Sequence, residues 1–457
     1  MIYRVLDFGA VADGRTLNTV AVQNAIDLCN KNGGGTVVFS DGEFVLSTVF
    51  LRSGVHIELS ENTVISGSLD FHDYCPDEKV DYPLFQDASH SFFHCSMFVG
   101  IGCENISITG KGKIDMRSVW DENNVRKMAH RGAKCIALKE CKNVDIKGIT
   151  VDNCTDLAIY FAGCENVDIS GIKMRTYIDG ISPDNSKNVK ITDCDIETGD
   201  DGIVLKSSYT LNRLDFCKNI RVRNCRIKSR CNAIKFGTET NGGFYGIDIR
   251  NCYIYDTRIT GIAIESVDGG IADGITVKDI KMVNVNAPLF IHVGKRMRGP
   301  VGREVGKIKN ITLENITATG KYEPYKIMPW NYASFKANDN FQDPEVFGMA
   351  ESFDGTERTD EWQMTSNICG LKESPLENIT LRDIYLKLDG GVINGFNKTV
   401  PEIAQDYPEV YVYGRILPAK GIYFRHIKGL TLDNVKTETY RPDGRQDFVF
   451  EDVSMKE

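Results

Sequence analysis

Cys141-Lys-Asn-Val-Asp-Ile-Lys-Gly148 is echoed 23 residues later by Cys164-Glu-Asn-Val-Asp-Ile-Ser-Gly171, and Asn188-Val-Lys-Ile191 stands 22 residues beyond Asn166. The core phrase, an asparagine followed by two aliphatic residues separated by one variable position, recurs at Asn105, Asn219, Asn310 and Asn378. It has a glycine in the first place at Gly246, Gly274 and Gly429. Between Asn143 and Gly274 the steps are 23, 22, 31, 27 and 28 residues. Short alternations of apolar and polar residues, broken by Gly, Asn and Asp, predict half-buried strands joined by turns. A period a little over twenty residues, with several such strands in each repeat, predicts a solenoid, because one coil can bury its inner face only against the next. The Leu-x-x-Leu-x-Leu frame of a leucine-rich repeat is absent. Equivalent asparagines are expected to hydrogen-bond along the stack, and the cysteines of the phrase (Cys103, Cys141, Cys164, Cys217) to pack as reduced thiols inside it. Cys154, Cys194, Cys225 and Cys252, each after an Asn or Asp, form a second such set.

Working outward, Thr19 to Asn30 carries apolar residues at helical spacing and stops before Asn32-Gly-Gly-Gly35. It reads as a short amphipathic helix capping the first coil. The fold expectation is therefore all-β: a right-handed parallel β-helix over residues 1–457 as one domain, with residues 1–45 as cap and first coil. Long insertions at 320–370 and 388–417 interrupt the period and are expected to wall a cleft.

Bulk properties narrow the function. A net charge of -9 argues against nucleic acid or an anionic membrane as the main partner. No apolar run is long enough to span a bilayer. The first ten residues enter a strand-like run without a charged leader or apolar core, so a cytoplasmic location is expected. Fourteen cysteines include no Cys-x-x-Cys pair, the usual spacing of structural zinc. No metal and no cofactor is expected. A homo-oligomer remains open.

Two turns are dense in carboxylates: Tyr177-Ile-Asp179-Gly180-Ile-Ser-Pro-Asp184, and one coil later Thr198-Gly-Asp200-Asp201-Gly202-Ile-Val-Leu-Lys206. Residues one period apart in a solenoid lie about 4.8 Å apart along the stack. That brings Asp179 close to Asp200 and Asp201. Like charges that near raise one another's pKa, so one carboxyl keeps its proton while the others ionise, which supplies an acid and a base in one place. Inverting glycoside hydrolysis uses such a pair, with roughly 6.5–9.5 Å between carboxyls to admit a water. A single Asp-Gly is usually only a turn, and Asp184 is read that way.

With these motifs the chain resembles the polygalacturonase-like glycoside hydrolases of family 28 over nearly its whole length. The matches run from Asp7-Phe-Gly-Ala10 through Asp179-Gly180 and Gly199-Asp-Asp-Gly202 with Lys206 to Pro288-Leu-Phe-Ile-His292 and Gly421-Ile-Tyr-Phe-Arg-His426. The resemblance implies a right-handed β-helix and an inverting mechanism, with Asp201 as general acid and Asp179 plus Asp200 holding and activating water. It also exposes departures. Asn232 falls where the family has a histidine, and Ala263 and Glu265 replace an Arg and a Lys associated in the family with a galacturonate carboxylate. The expected substrate is accordingly an oligosaccharide from plant cell-wall pectin, trimmed from one end, with a neutral or unusual terminal sugar. Lys206, Lys235, Arg258, Arg296 and Arg298 are candidates to bind an acidic sugar. Asn232, Glu239, Glu265 and His292 are candidates to line the pocket, and Trp330 and Trp362 to stack on a ring. For each, ordinary packing or solvation is the competing reading. Two other functions stay open: a calcium-assisted polysaccharide lyase or uronate epimerase using the aspartates as metal ligands, and a non-catalytic carbohydrate-binding relic.

Overall fold

A computed structural model describes residues 1–85, 93–121, 131–322, 363–393 and 399–456. The candidate residues Trp330 and Trp362 lie outside them. The chain divides into two compact units, Met1–Arg226 and Ile227–Glu457, and both are built from parallel strands stacked coil upon coil, the arrangement of a right-handed parallel β-helix.

In the first unit the chain visits three ladders in turn. One contains the repeat phrase: strands Glu104–Gly110, Lys142–Lys147, Glu165–Ser170, Lys187–Thr192 and Cys217–Arg223 pair in parallel. Ile108, Ile146, Ile169, Ile191 and Val222 fall in one register row and all are buried, while the residues between them face outward, as the alternation predicts. The leading asparagines have positive φ, between 55° and 57° at Asn105, Asn143, Asn166, Asn188 and Asn219. Every coil turns here through the left-handed region, which Asn and Gly enter most readily. The glycine-headed repeats obey the same rule, with φ of 62° at Gly246, 72° at Gly274 and 78° at Gly429. The side chains form the expected ladder: each Nδ2 donates to the Oδ1 of the asparagine one coil earlier, at 3.0 Å for Asn143 and Asn166 and 3.1 Å for Asn188 and Asn219.

All fourteen cysteines are free thiols, and all but Cys75 are buried. The amide of Cys141 donates to Cys164 Sγ at 3.3 Å, so equivalent cysteines do stack.

Helix α1, Thr19–Lys31, packs Val22, Ala25, Ile26 and Cys29 against the first coil. Gly34 then turns the chain with φ of 100°. A Cβ there would meet Gly54 O at 2.5 Å, so only glycine lets the helix exit lie this close to the next turn.

In the second unit one ladder runs in register from Lys235 through Ala263, Phe290 and Asn367 to Tyr423. Residues 323–362 of the first expected insertion lie outside the described residues, and the ladder resumes at Ser366–Cys369, inside the expected 320–370 span. The segment 399–417 of the second insertion packs back onto this ladder. Val410, Tyr411 and Val412 sit against Ala263 and Phe290, and Tyr413 and Leu417 against Cys369 and Tyr423.

Candidate active site

Asp179 ends a turn that leads into strand Ile181–Asp184, and Asp200-Asp201 ends the equivalent turn before strand Ile203–Ser207. The two strands pair with Ile181 opposite Ile203. Gly180 N donates to Asp201 O at 3.0 Å, which sets the turns directly one above the other. The glycines make this approach feasible. A Cβ at Gly199 would stand 2.1 Å from Tyr177 O, and one at Gly180 would stand 2.5 Å from Gly202 O.

Three carboxylates meet as a result. One oxygen from each of Asp179, Asp200 and Asp201 lies within 4.8 Å of the other two, and the Asp201 amide donates to Asp179 Oδ1 at 3.3 Å. Asp179 and Asp201 are buried, whereas the Asp200 side chain is 33% exposed and opens the cluster to solvent. Two cations flank it. Lys206 Nζ is 3.6 Å from Asp179 Oδ2, and Arg131 Nη2 is 3.7 Å from Asp200 Oδ2. Burial pushes the Asp179 carboxyl up to about 7; Lys206 holds it down, Asp200 and Asp201 push it further up, and Arg131 again opposes them. Near neutrality Asp179 therefore exchanges its proton readily, beside the cations Lys206 and Arg131.

Beneath lies a second layer that the motifs did not reveal. Asp156, fully buried, sits 3.9 Å from Arg131 Nη1 and 3.6 Å from Lys134 Nζ. Its position 44 residues before Asp200, two coil steps of 22, is the sequence signal that would have found it. Arg131 and Lys134 carry no comparable signal. Trp120 packs edge-on to Tyr177, ring centroids 5.5 Å apart, placing an indole next to the turn that bears Asp179. Asp184 has the structural role expected of it: Tyr160 Oη donates to it at 3.0 Å and the Ser208 amide at 2.9 Å.

The remaining candidates lie in the second unit. Lys235 Nζ is 2.6 Å from Glu409 Oε1 and 3.7 Å from Glu265 Oε1, and Asn232 Nδ2 donates to Glu409 Oε2 at 3.3 Å. Asn232 and Lys235 are thus joined by Glu409, and Lys235 reaches on to Glu265; Glu409 is a residue of the second insertion that sequence reasoning missed because nothing in its neighbourhood marks it. Glu239 is fully buried. Arg296 forms a two-pronged pair with Asp268, Nε to Oδ1 at 3.0 Å and Nη2 to Oδ2 at 2.5 Å, and also donates to Thr238 O. His292 is buried and stacked on Phe290, with Nδ1 3.2 Å from Tyr413 Oη. Burial pushes its pKa down to about 3, so the ring is neutral at physiological pH.

Residues 45–335 match the sequence model of the glycosyl hydrolases family 28, a span covering more than half of the chain. The chain is a family 28 glycosyl hydrolase. Among curated relatives, this family 28 enzyme is 25% identical over 411 residues to a probable polygalacturonase of Vitis vinifera, covering 84% of the chain and 74% of the relative. It is 22% identical over 437 residues to an exo-poly-alpha-D-galacturonosidase of Dickeya chrysanthemi, covering 84% and 69%. Among solved structures, the family 28 exopolygalacturonase of Yersinia enterocolitica aligns with a TM-score of 0.69 at 20% identity, over 99% of this chain and 78% of that one. The exopolygalacturonase of Thermotoga maritima aligns with a TM-score of 0.66 at 19% identity, over 95% and 92%. These structural likenesses carry the β-helix fold. As a member of family 28, the protein is a glycoside hydrolase.

Proposed function

We propose that the enzyme hydrolyses a glycosidic bond with Asp179, Asp200 and Asp201, releasing sugars with inversion from one end of a pectin-derived oligosaccharide. One observation carries the reading: one oxygen from each of three carboxylates lies within 4.8 Å of the others, with Lys206 and Arg131 beside them. Asp201 protonates the leaving oxygen, while Asp179 and Asp200 hold and deprotonate the attacking water. A water bonded to two oxygens at about 2.8 Å each spans up to about 5.6 Å, so the cluster has room for one. The polygalacturonase and exo-acting relatives support a pectic substrate and end-wise action. Ala263 and Glu265, standing where the family resemblance implies an Arg and a Lys associated with a galacturonate carboxylate, support a terminal sugar other than galacturonate.

The test is a panel of pectic oligosaccharides with neutral and acidic ends, followed by NMR of the first-formed anomer. Inversion with release from one end is expected. Nearest oxygens this close also suit the shorter carboxyl spacing of retaining enzymes, about 5–5.5 Å, so a retained anomer overturns the assigned roles. Absence of any released sugar overturns the reading altogether. Chelation separates it from calcium-assisted elimination, which EDTA abolishes and which leaves an unsaturated, ultraviolet-absorbing product.

A further inference from the structure

The outward side of one ladder in the second unit is unusually rich in tyrosine and lysine. Register places Tyr253, Lys281, Thr317, Tyr385 and Lys436 in one row across five successive strands. Beside it run Tyr255 opposite Val283 and Lys387 opposite Glu438. Ile254, Met282, Ala318 and Leu386, the alternate residues on four of these strands, are buried. The tyrosines and lysines therefore project away from the core. The rings are ordered. Tyr253 and Tyr255 stack with centroids 5.5 Å apart and planes 11° from parallel. Tyr385 Oη donates to Glu438 at 3.0 Å, and Lys387 Nζ lies 4.8 Å from the ring centre of Tyr440, itself 38% exposed.

We propose that this face is an auxiliary binding surface for an acidic polysaccharide, a polyuronate chain lying along the stack of coils. Three features fit that ligand. Neighbouring strands are about 4.8 Å apart, close to the length of one hexose unit, so side chains in a row meet consecutive sugars in register. Tyr253, whose ring stacks on Tyr255, and Tyr385 stand three strands apart, roughly 14 Å, and give aromatic surface to two sugars; Lys281, with Nζ 5.9 Å from the Tyr253 ring centre, lies between them and Lys436 beyond, to pair with carboxylates. Lys281, Lys387 and Lys436 against Glu438 leave the face positive on a protein of net charge -9, which is charge complementarity to a uronate polymer rather than to a neutral one.

The inference goes beyond the reading of the aspartate cluster and is tested apart from it, because surface variants are compared with a parent that shares the same cluster. Asp201→Asn protein is run through native gels containing soluble polygalacturonate or neutral galactan. Its Tyr253→Ala/Tyr385→Ala and Lys281→Ala/Lys436→Ala derivatives are run alongside. Retardation by polygalacturonate is expected, with roughly tenfold weaker binding after loss of the tyrosine pair and a flatter salt dependence after loss of the lysine pair. Melting curves verify that each variant is folded, and the exposed lysine pair tests the proposal even if the tyrosine pair perturbs packing. Unchanged retardation of both pairs overturns the proposal, and so does equal retardation of the parent by galactan.

Discussion

A carboxyl that is 4% exposed and faces two others gives up its proton only near pH 7, and Asp179 is in that position. If Asp179 must be ionised to activate water, kcat/KM rises with pH through about 7. A profile flat from pH 5 to pH 8 removes Asp179 from that role. Lys206 lowers this pKa, so Lys206→Met moves the acid limb to higher pH. Replacing Asp201 with Asn is expected to lower kcat by about 10²–10⁴-fold, the range for a lost general acid. The same pKa carries a stability sign. The folded value lies above the ordinary 3.8, so the folded state binds the proton more tightly than the unfolded state between about pH 4 and pH 7, and stability falls as pH rises through that window. Asp179→Asn should therefore raise Tm at pH 8 and leave it nearly unchanged at pH 4, as differential scanning calorimetry would show. Asp179, Asp200 and Asp201 were legible as a trio because each sits in a motif. Arg131, Lys134 and Glu409 were not, because a charge-balancing side chain needs only to reach its partner and no local pattern fixes where it starts.

Among elements, the asparagine ladder lets sequence and structure be compared directly. The left-handed turn and the coil-to-coil hydrogen bond both act at one position, so selection writes Asn or Gly there and the repeat becomes visible. Asn166 accepts from Asn188 and donates to Asn143. Asn166→Ala loses both bonds and places a Cβ without a compensating side-chain bond at φ of 57°; it should cost about 1–3 kcal/mol in urea denaturation. Asn166→Gly loses the bonds but relieves the backbone, and should cost less. If Ala and Gly are equal, the backbone argument is wrong. Helix α1 was equally legible, since its buried face follows a 3.6-residue period. The second insertion was not: its break in the period suggested a wall, but which ladder residues it covers depends on contacts with Ala263, Phe290 and Cys369, more than a hundred residues earlier for the first two.

At the scale of the whole molecule, stability comes from stacked coils rather than from crosslinks. Thirteen buried free thiols, and an aspartate cluster that already has Lys206 and Arg131 beside it, predict that neither reduction nor chelation matters. Tm and hydrolytic rate are expected to stay the same with a phosphine reductant or with EDTA; a loss of several degrees with EDTA would point to a structural or catalytic cation. The sequence by itself determined the solenoid, its period, the strand faces and the pairing of Asp179 with Asp200 and Asp201, because a repeat converts distance along the chain into distance in space at a nearly constant rate. Only the tertiary structure decided the burial that raises the Asp179 pKa, the matching of Lys235 by Glu409 and Glu265, and the clamping of Arg296 by Asp268. Those depend on burial and on partners that reach in from outside the repeat, where sequence spacing no longer measures proximity.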